Sequence, residues 1–422
     1  MRITTMARAE PEAKPNGADS VGKKQTLLQK FVTRACMGAV MFSVFCAIIW
    51  AGHLYVCGFV VLLQALIFRE LVNVRYRADC EIIVGRVPLF RTLQWAWYGV
   101  ATFYTYGDFL YEFSSQRWYL AHITRALRYH GLIAFAMYCL LFVFSICTLR
   151  ASTLKYQVQQ LTWTIVTLCL VIGQMKFVAH NIFFGLFWFF FPCFLVIAND
   201  CWAYAWGLTL GRKLIKETPF FRLSPNKTWE GFIGAAFSTV IMGFFVAGLF
   251  AQIRYLTCPA ERLTFRPHHG VEGSCTPHPI FELGPLPFPG DALRALLPDA
   301  WQGTSLLPNV VMVRPVQLHG AALSLFASVV APFGGFLASA IKRAYGVKDF
   351  DSLIPGHGGV TDRMDCQFLM ALCTWVYLHS FVMDSSTVSG LFAHALLLEP
   401  AQQRELYDQL REHLVSTGVL LK

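Results

Sequence analysis

Residues 355–383 read PGHGGVTDRMDCQFLMALCTWVYLHSFVM, a glycine-rich charged stretch that runs without a break into the apolar run Cys366–Met383. A run of that length approaches the roughly 20 residues a helix needs to cross about 30 Å of hydrocarbon. Its flank is the puzzle. Three glycines, a histidine, an arginine and two aspartates stand against what reads as a membrane segment, and the rest of the chain has to explain them.

The chain has 422 residues, of which 55% are hydrophobic and only 14% charged, whereas an average soluble domain is roughly 25% charged. That composition excludes an ordinary soluble domain. Apolar runs fall at about 33–52, 54–68, 93–107, 130–149, 161–175, 180–198, 231–253, 319–338 and 366–383. The expected fold class is therefore all-α, a polytopic integral membrane protein with about nine transmembrane helices, within a range of eight to ten. The first 30 residues have no apolar core and read as a disordered cytosolic tail without a cleavable signal peptide.

Thirteen cysteines form no CxxC pair, so neither a zinc site nor a disulfide framework is indicated. Cys258 and Cys275 share one polar loop and would pair if that loop faces an oxidising lumen. Compartment alone favours leaving them unpaired.

Lysine and arginine set the orientation. If nine spans alternate, one side receives 23 of the 35 basic residues. Most of the other 12 lie in a long loop and a tail, where the positive-inside rule hardly applies. The basic side is expected to be cytosolic. The net charge of +10 suits anionic lipid headgroups and anionic solutes rather than nucleic acid.

From Arg254 to Gln317 runs a polar, Pro-rich loop whose histidines lack metal-ligand spacing and read as solvent-exposed. In the C-terminal tail Leu406, Leu410 and Leu414, with Leu397, recur near helical spacing, so this tail would lie on the membrane or pack on a partner. No internal repeat of transporter type is evident.

Two cytosolic loops collect the charges that topology alone does not explain. In SAIKRAYGVKDFDSLIPGHGGVTDRMD (339–365), Ser339, Lys342 and Arg343 share one helical face. For the two cations alone, a positive-inside anchor is the favoured reading. Lys348 and Asp349 follow a turn. Pro355, Gly356, Gly358 and Gly359 then make a tight loop whose N–H groups can approach an anion at the start of a helix. Asp362 and Asp365 stand in that helix's first turn. One acid there is ordinary helix chemistry; two, with Arg363 and His357 around a glycine loop, match what Mg²⁺ uses to hold a nucleotide by its phosphates.

The other loop, NDCWAYAWGLTLGRKLIKETPFFRLSPNKTWEG (199–231), begins with Asn199 and Asp200 at the end of an apolar run, where a charge is costly. Ser224-Pro225 reads as a helix N-cap followed by proline at N1. Lys227 and Glu230 have the spacing of an intrahelical pair. Gly207 and Gly211 suit close helix packing.

The loop 339–365 resembles the signature of the phosphatidate cytidylyltransferases, also called CDP-diacylglycerol synthases. The match rests on Ser339, Lys342, Arg343, Lys348, Asp349, Pro355, His357, Gly358, Gly359, Asp362, Arg363 and Asp365. The upstream block is similar to the eukaryotic branch through Asn199, Asp200, Ala203, Tyr204, Gly207, Gly211, Arg212 and SPNKTWEG (224–231). The resemblance covers about 180–383 well and the N-terminal spans only in hydropathy. Two positions depart. Asn226 stands where relatives often carry a second lysine, and Gly335 stands where bacterial relatives carry a metal-holding aspartate.

The resemblance implies the reaction of CTP with phosphatidic acid to give CDP-diacylglycerol and pyrophosphate, with Mg²⁺ as cofactor. It implies metal–triphosphate binding by Asp362 and Asp365, with Asp349 as a third candidate ligand. Phosphate clamping falls to Lys227, Lys342, Arg343, Lys348 and Arg363, and His357 would orient a phosphate or an acid. Asn199, Asp200, Ser224, Glu230, Ser339, Gly358 and Gly359 would bind substrate.

It divides the chain into the tail (1–30), N-terminal transmembrane helices (31–178), a catalytic transmembrane region (179–383) and the C-terminal amphipathic tail (384–422). The expected setting is the endoplasmic reticulum membrane with the site facing the cytosol; a homodimer is left open. The alternatives are a CTP-dependent polyprenol kinase and a non-enzymatic membrane transporter.

Overall fold

Residues Trp229–Phe250 form a helix that is large outside and small inside. Ile233, Phe237, Ile241, Phe245 and Leu249 are all exposed, while Gly231, Ala235, Thr239, Gly243 and Ala247 are buried. Each set repeats every fourth residue, so each occupies one face. Exposed large apolar groups fit hydrocarbon, and small buried ones let neighbouring backbones approach closely. A Cβ at Gly243 would collide with Ser324, and one at Gly320 would lie 2.6 Å from Ala247 Cβ.

The computed structural model describes residues 27–83, 89–174, 176–213, 215, 227–259, 275, 277–287, 310–356, 358–383, 388–396 and 398–416. The helices are α1 Leu27–Ala51, α2 His53–Ile83, α3 Phe90–Ser115, α4 Ala121–Leu127, α5 His130–Cys147, α6 Leu154–Leu168, α7 Val178–Phe184, α8 Phe187–Thr209, α9 Trp229–Phe250 and α10 Arg254–Thr257. After a two-stranded antiparallel sheet, β1 Gly284–Pro287 with β2 Val310–Val313, follow α11 Pro315–Val329, α12 Pro332–Ala344, α13 Thr361–Tyr377, α14 Val388–Leu396 and α15 Pro400–Ser416.

The expected all-α membrane architecture holds, with that small sheet as an addition in the polar loop. The count of about nine spans is not confirmed. Among the described residues six helical stretches are long and apolar enough to cross a membrane: His53–Tyr76, His130–Cys147, Ala151–Phe184, Phe187–Thr209, Trp229–Phe250 and Pro315–Ala344. The runs 33–52, 93–107 and 366–383 are not among the six, and two runs that are, 180–198 and 319–338, are interrupted by local geometry. Gly185, with φ +155° and room so short that a Cβ there would lie 3.2 Å from Leu256 O, breaks the run 180–198 into α7 and α8. Pro332 starts a new helix inside the run 319–338. Helix α3 carries Gln94, Asp108 and Glu112, and α13 has only 17 residues, three of them charged near its start.

Two cores hold the helices. One gathers Phe187, Trp188, Phe191 and Leu195 of α8 with Leu323 and Ala327 of α11 and Met370 of α13. The other joins Ile67, Phe68, Leu71 and Val72 of α2 to Val171, Ile172, Ala338, Phe350 and Val360. This second core seats the glycine loop on the N-terminal half of the chain.

In the polar loop Cys258 and Cys275 form a disulfide with Cα atoms 6.0 Å apart, so the pairing that compartment alone disfavoured is present. His278 is half-buried and its Nδ1 accepts from Ile280 N, unlike the solvent-exposed histidine expected. The N-terminal tail up to residue 26 and Leu397 lie outside the described residues. Leu406 and Leu410 are exposed on α15.

Candidate active site

The glycine loop is built by five local contacts. Ile354 N donates to Gly358 O at 2.9 Å and Gly358 N to Ile354 O at 3.1 Å, closing a miniature hairpin. Gly356 and Gly358 have φ +76° and +82°, a region costly for any side-chain-bearing residue. Phe350, 1% exposed, plugs the second core. Asp362 Oδ2 accepts from Phe350 N and Gly359 N, each at 3.0 Å. Lys342 Nζ reaches Asp362 Oδ1 at 2.6 Å.

Glu70 completes the frame. Its carboxylate, 2% exposed on α2, accepts from Val360 N and Thr361 N at 2.8 Å each. The beginning of α13 is thus capped by a residue some 290 positions earlier in the chain. Beside it, Arg69 Nη2 lies 3.8 Å from Asp351 Oδ2. A Cβ at Gly359 would come within 2.7 Å of Glu70 Oε2, so glycine is needed for the carboxylate to dock.

The four successive amides from Gly358 to Thr361 are therefore all taken within the protein. The backbone anion site expected of this loop is not formed by them; Glu70 holds the position at the helix terminus that an anion would seek. Lys348, Asp349, Asp351, Ser352 and Arg363 line a pocket of about 620 Å³ with Pro355, Gly356 and Gly358.

The second loop joins from the other side. Asp200 on α8 lies within electrostatic range of Lys227 and Arg363, and Asp365 within range of Asp200 and Lys342. Burial pushes the Asp365 carboxyl up to about 6, and the Asp200 charge adds to the rise. Lys227 Nζ stands 5.5 Å from the Phe336 ring centroid. Gly335 faces Asp365, and a Cβ there would lie 3.4 Å from its Oδ2. The position where bacterial relatives are expected to carry an aspartate is thus next to this carboxylate.

Several assignments change in three dimensions. Lys342 and Asp362 neutralise each other, with side chains 14% and 6% exposed, where the resemblance implied phosphate for one and metal for the other. Among the described residues no group of three or more His, Cys, Asp or Glu is placed to hold a metal ion. The Asp200 and Asp365 carboxylates act on each other inside the protein.

Asn199 is a helix tie, 4% exposed and accepting from Thr239 Oγ1 at 3.3 Å. Glu230 accepts from Ile215 N at 2.8 Å, and Lys227 precedes the helix, so the two are not an intrahelical pair. The helix is capped by Thr228, whose Oγ1 accepts from Gly231 N, not by Ser224. Ser224 and His357 lie outside the described residues. Gly207 does admit a close helix, since a Cβ at Gly231 would be 3.5 Å from its Cα. Ser339 is half-buried on α12 and Arg343 is exposed.

Glu70 and Arg69 were missed by the sequence reading, which ended the second span at residue 68. The available signal was an ionisable pair at the end of an apolar run, the same signal that singled out Asp200.

Comparison with known proteins shows the family. The chain belongs to the cytidylyltransferase family, whose match spans residues 32–381. Among its relatives are proteins named phosphatidate cytidylyltransferase. A probable one from Dictyostelium discoideum is 36% identical over 395 residues, covering 93% of this chain and 80% of the relative. Phosphatidate cytidylyltransferase 3 of Arabidopsis thaliana is 38% identical over 388 residues, 90% of this chain and 78% of that one. Phosphatidate cytidylyltransferase 1 of Homo sapiens is 36% identical over 391 residues, 92% and 80% respectively. The resemblance seen in two loops is borne out, and it extends through the N-terminal helices.

Proposed function

We propose that this chain transfers the cytidylyl group of CTP to phosphatidate, giving CDP-diacylglycerol and pyrophosphate. The observation that carries the reading is the meeting of Lys227, Asp200, Arg363 and Asp365 from two distant loops, in a chain whose relatives are named phosphatidate cytidylyltransferase. A phosphate oxygen of the lipid attacks the α-phosphorus of CTP. A new P–O bond forms there as the bond from the α-phosphorus to the bridging oxygen breaks, and pyrophosphate leaves with the electron pair. Phosphatidate is already ionised near neutral pH, so a general base is hardly needed.

Two polyanions must be brought together, so positioning and charge neutralisation supply most of the catalysis. Lys348 and Arg363 line the pocket and would hold the triphosphate; Lys227, which with Arg363 acts on Asp200, would hold the lipid phosphate. Mg²⁺ is the proposed cofactor, with Asp200 and Asp365 as its carboxylate donors, and when bound it would neutralise phosphate charge. Asp362, tied to Lys342 and two amides, shapes the loop.

The protein is a multi-pass membrane protein. We place it in the endoplasmic reticulum with the pocket facing the cytosol. The distribution of basic residues supports this, and so does a disulfide in the opposite loop, a bond that persists in oxidising compartments.

The test is label transfer into lipid from CTP carrying label at the α or the γ phosphorus. Label from the α position is the expected result. Transfer from the γ position would instead identify a CTP-dependent lipid kinase, and no transfer from a folded protein would remove the enzyme reading.

A further inference from the structure

We propose that Glu70 is a positioning residue for the transfer reaction, acting through the glycine loop rather than on substrate. The inference rests on the reading that this loop forms the nucleotide pocket. An ionisable side chain near the end of a membrane-length helix is costly and calls for a functional partner. Here the partner is the start of α13. Both carboxylate oxygens accept charge-assisted hydrogen bonds from Val360 N and Thr361 N at 2.8 Å. A local Ser, Asp or Asn would suffice to cap a helix; this chain uses a residue from α2 instead, and so fixes the loop to the N-terminal helices.

Three further features make the contact a register for the pocket. Gly359 leaves the space that Glu70 Oε2 fills, since a Cβ there would stand 2.7 Å away. The neighbouring Arg69 faces Asp351 across 3.8 Å, and Asp351 lines the pocket. Asp362 and Arg363 follow Thr361 directly in the same helical turn. A shift of the helix start therefore moves Arg363 and the Asp362–Lys342 pair together. Glu70 also supplies the negative charge at this terminus, so the substrate phosphates are directed to Lys348 and Arg363 rather than to the backbone.

The experiment uses the full-length protein in detergent, with Glu70→Gln as the primary variant. The isosteric amide removes the charge and turns an N–H₂ toward one of the two backbone donors. Hydrogen exchange of the peptide spanning 358–364 should quicken by about tenfold or more. At the same time kcat should fall by about 100-fold, as a displacement near 1 Å costs, while KM for CTP and for phosphatidate stays within about threefold, because Glu70 touches neither.

Gly359→Ala reaches the same contact from the loop side, and serves if Glu70→Gln does not fold; it should show the same kcat loss and faster exchange. Lys348→Ala separates the premises. If Lys348→Ala is inactive while Glu70→Gln exchanges faster yet turns over normally, the positioning role is wrong and the site stands. If Lys348→Ala and Glu70→Gln are both fully active, the placing of the site in this loop fails, and the positioning role with it. Unchanged exchange in Glu70→Gln would sink the proposal outright.

Discussion

Lys342 Nζ and Asp362 Oδ1 are 2.6 Å apart, at side-chain positions 14% and 6% exposed, and the same carboxylate receives Phe350 N and Gly359 N. An acid that motif reading assigns to a metal is the point where α12, the glycine loop and α13 are tied. Its charge is already balanced by protein. Removing one member leaves the other's charge buried without its counter-charge, which costs more than the pair contributes.

Lys342→Met should accordingly destabilise the protein by about 3–5 kcal/mol, the range for breaking a buried pair from one side. The double variant Lys342→Met with Asp362→Asn should recover part of that loss. Thermal melting of the two singles and the double in detergent reads the coupling; strictly additive losses would show that the pair is not coupled. Asp362→Asn alone should lose activity through the loop.

Asp365→Asn should raise the Mg²⁺ concentration needed for half-maximal activity by about tenfold or more, the scale on which metal-site changes act. Asp200→Asn should do the same, since the two carboxylates are the pair proposed to share the ion. A Mg²⁺ activation curve identical to wild type in both variants would return them to a structural role.

Gly358→Ala forces a side chain into φ +82° with its Cβ 3.1 Å from Asp362 Oδ2. Strain of about 1–2 kcal/mol is expected from the backbone alone, and the carboxylate must also move. Gly346 has φ +65° but open space around it, so Gly346→Ala carries the strain without the collision. Activity should therefore fall much further in Gly358→Ala than in Gly346→Ala, at comparable melting temperatures; equal activities would mean that the contact with Asp362 is unimportant.

Gly243→Val should cost about 1–3 kcal/mol by overpacking α9 against Ser324 of α11. Phe237→Leu, on the exposed face of the same helix, should leave folding and activity near wild type. The yield of monodisperse protein and its melting temperature would distinguish the two faces; comparable losses from both would deny that this face meets lipid.

Single cysteines at Leu353 and Ile215 should react with an impermeant thiol reagent added to sealed microsomes, and one at Pro285 should not. The residues come from the two motif loops and from the disulfide-bearing loop. Labelling at 285 with protection at 353 would reverse the orientation and the route of CTP to the site.

The sequence by itself determined the membrane class, the helical architecture, the two loops and the family, because these follow from local composition and from residue types at short spacing. Apolar runs declare helices of membrane length, and Pro355 with Gly356, Gly358 and Gly359 declares a tight turn whatever lies nearby. Tertiary structure alone decided what each charge faces. Asp362 turned to Lys342, and Glu70 crossed from α2 to take the amides that the glycine loop alone suggested for phosphate. Hydropathy could not assign these partners, nor the breaks at Gly185 and Pro332. A charge in a low-dielectric interior is satisfied by whichever opposite charge or amide the packing brings within about 3 Å, and packing joins residues that the chain keeps hundreds of positions apart.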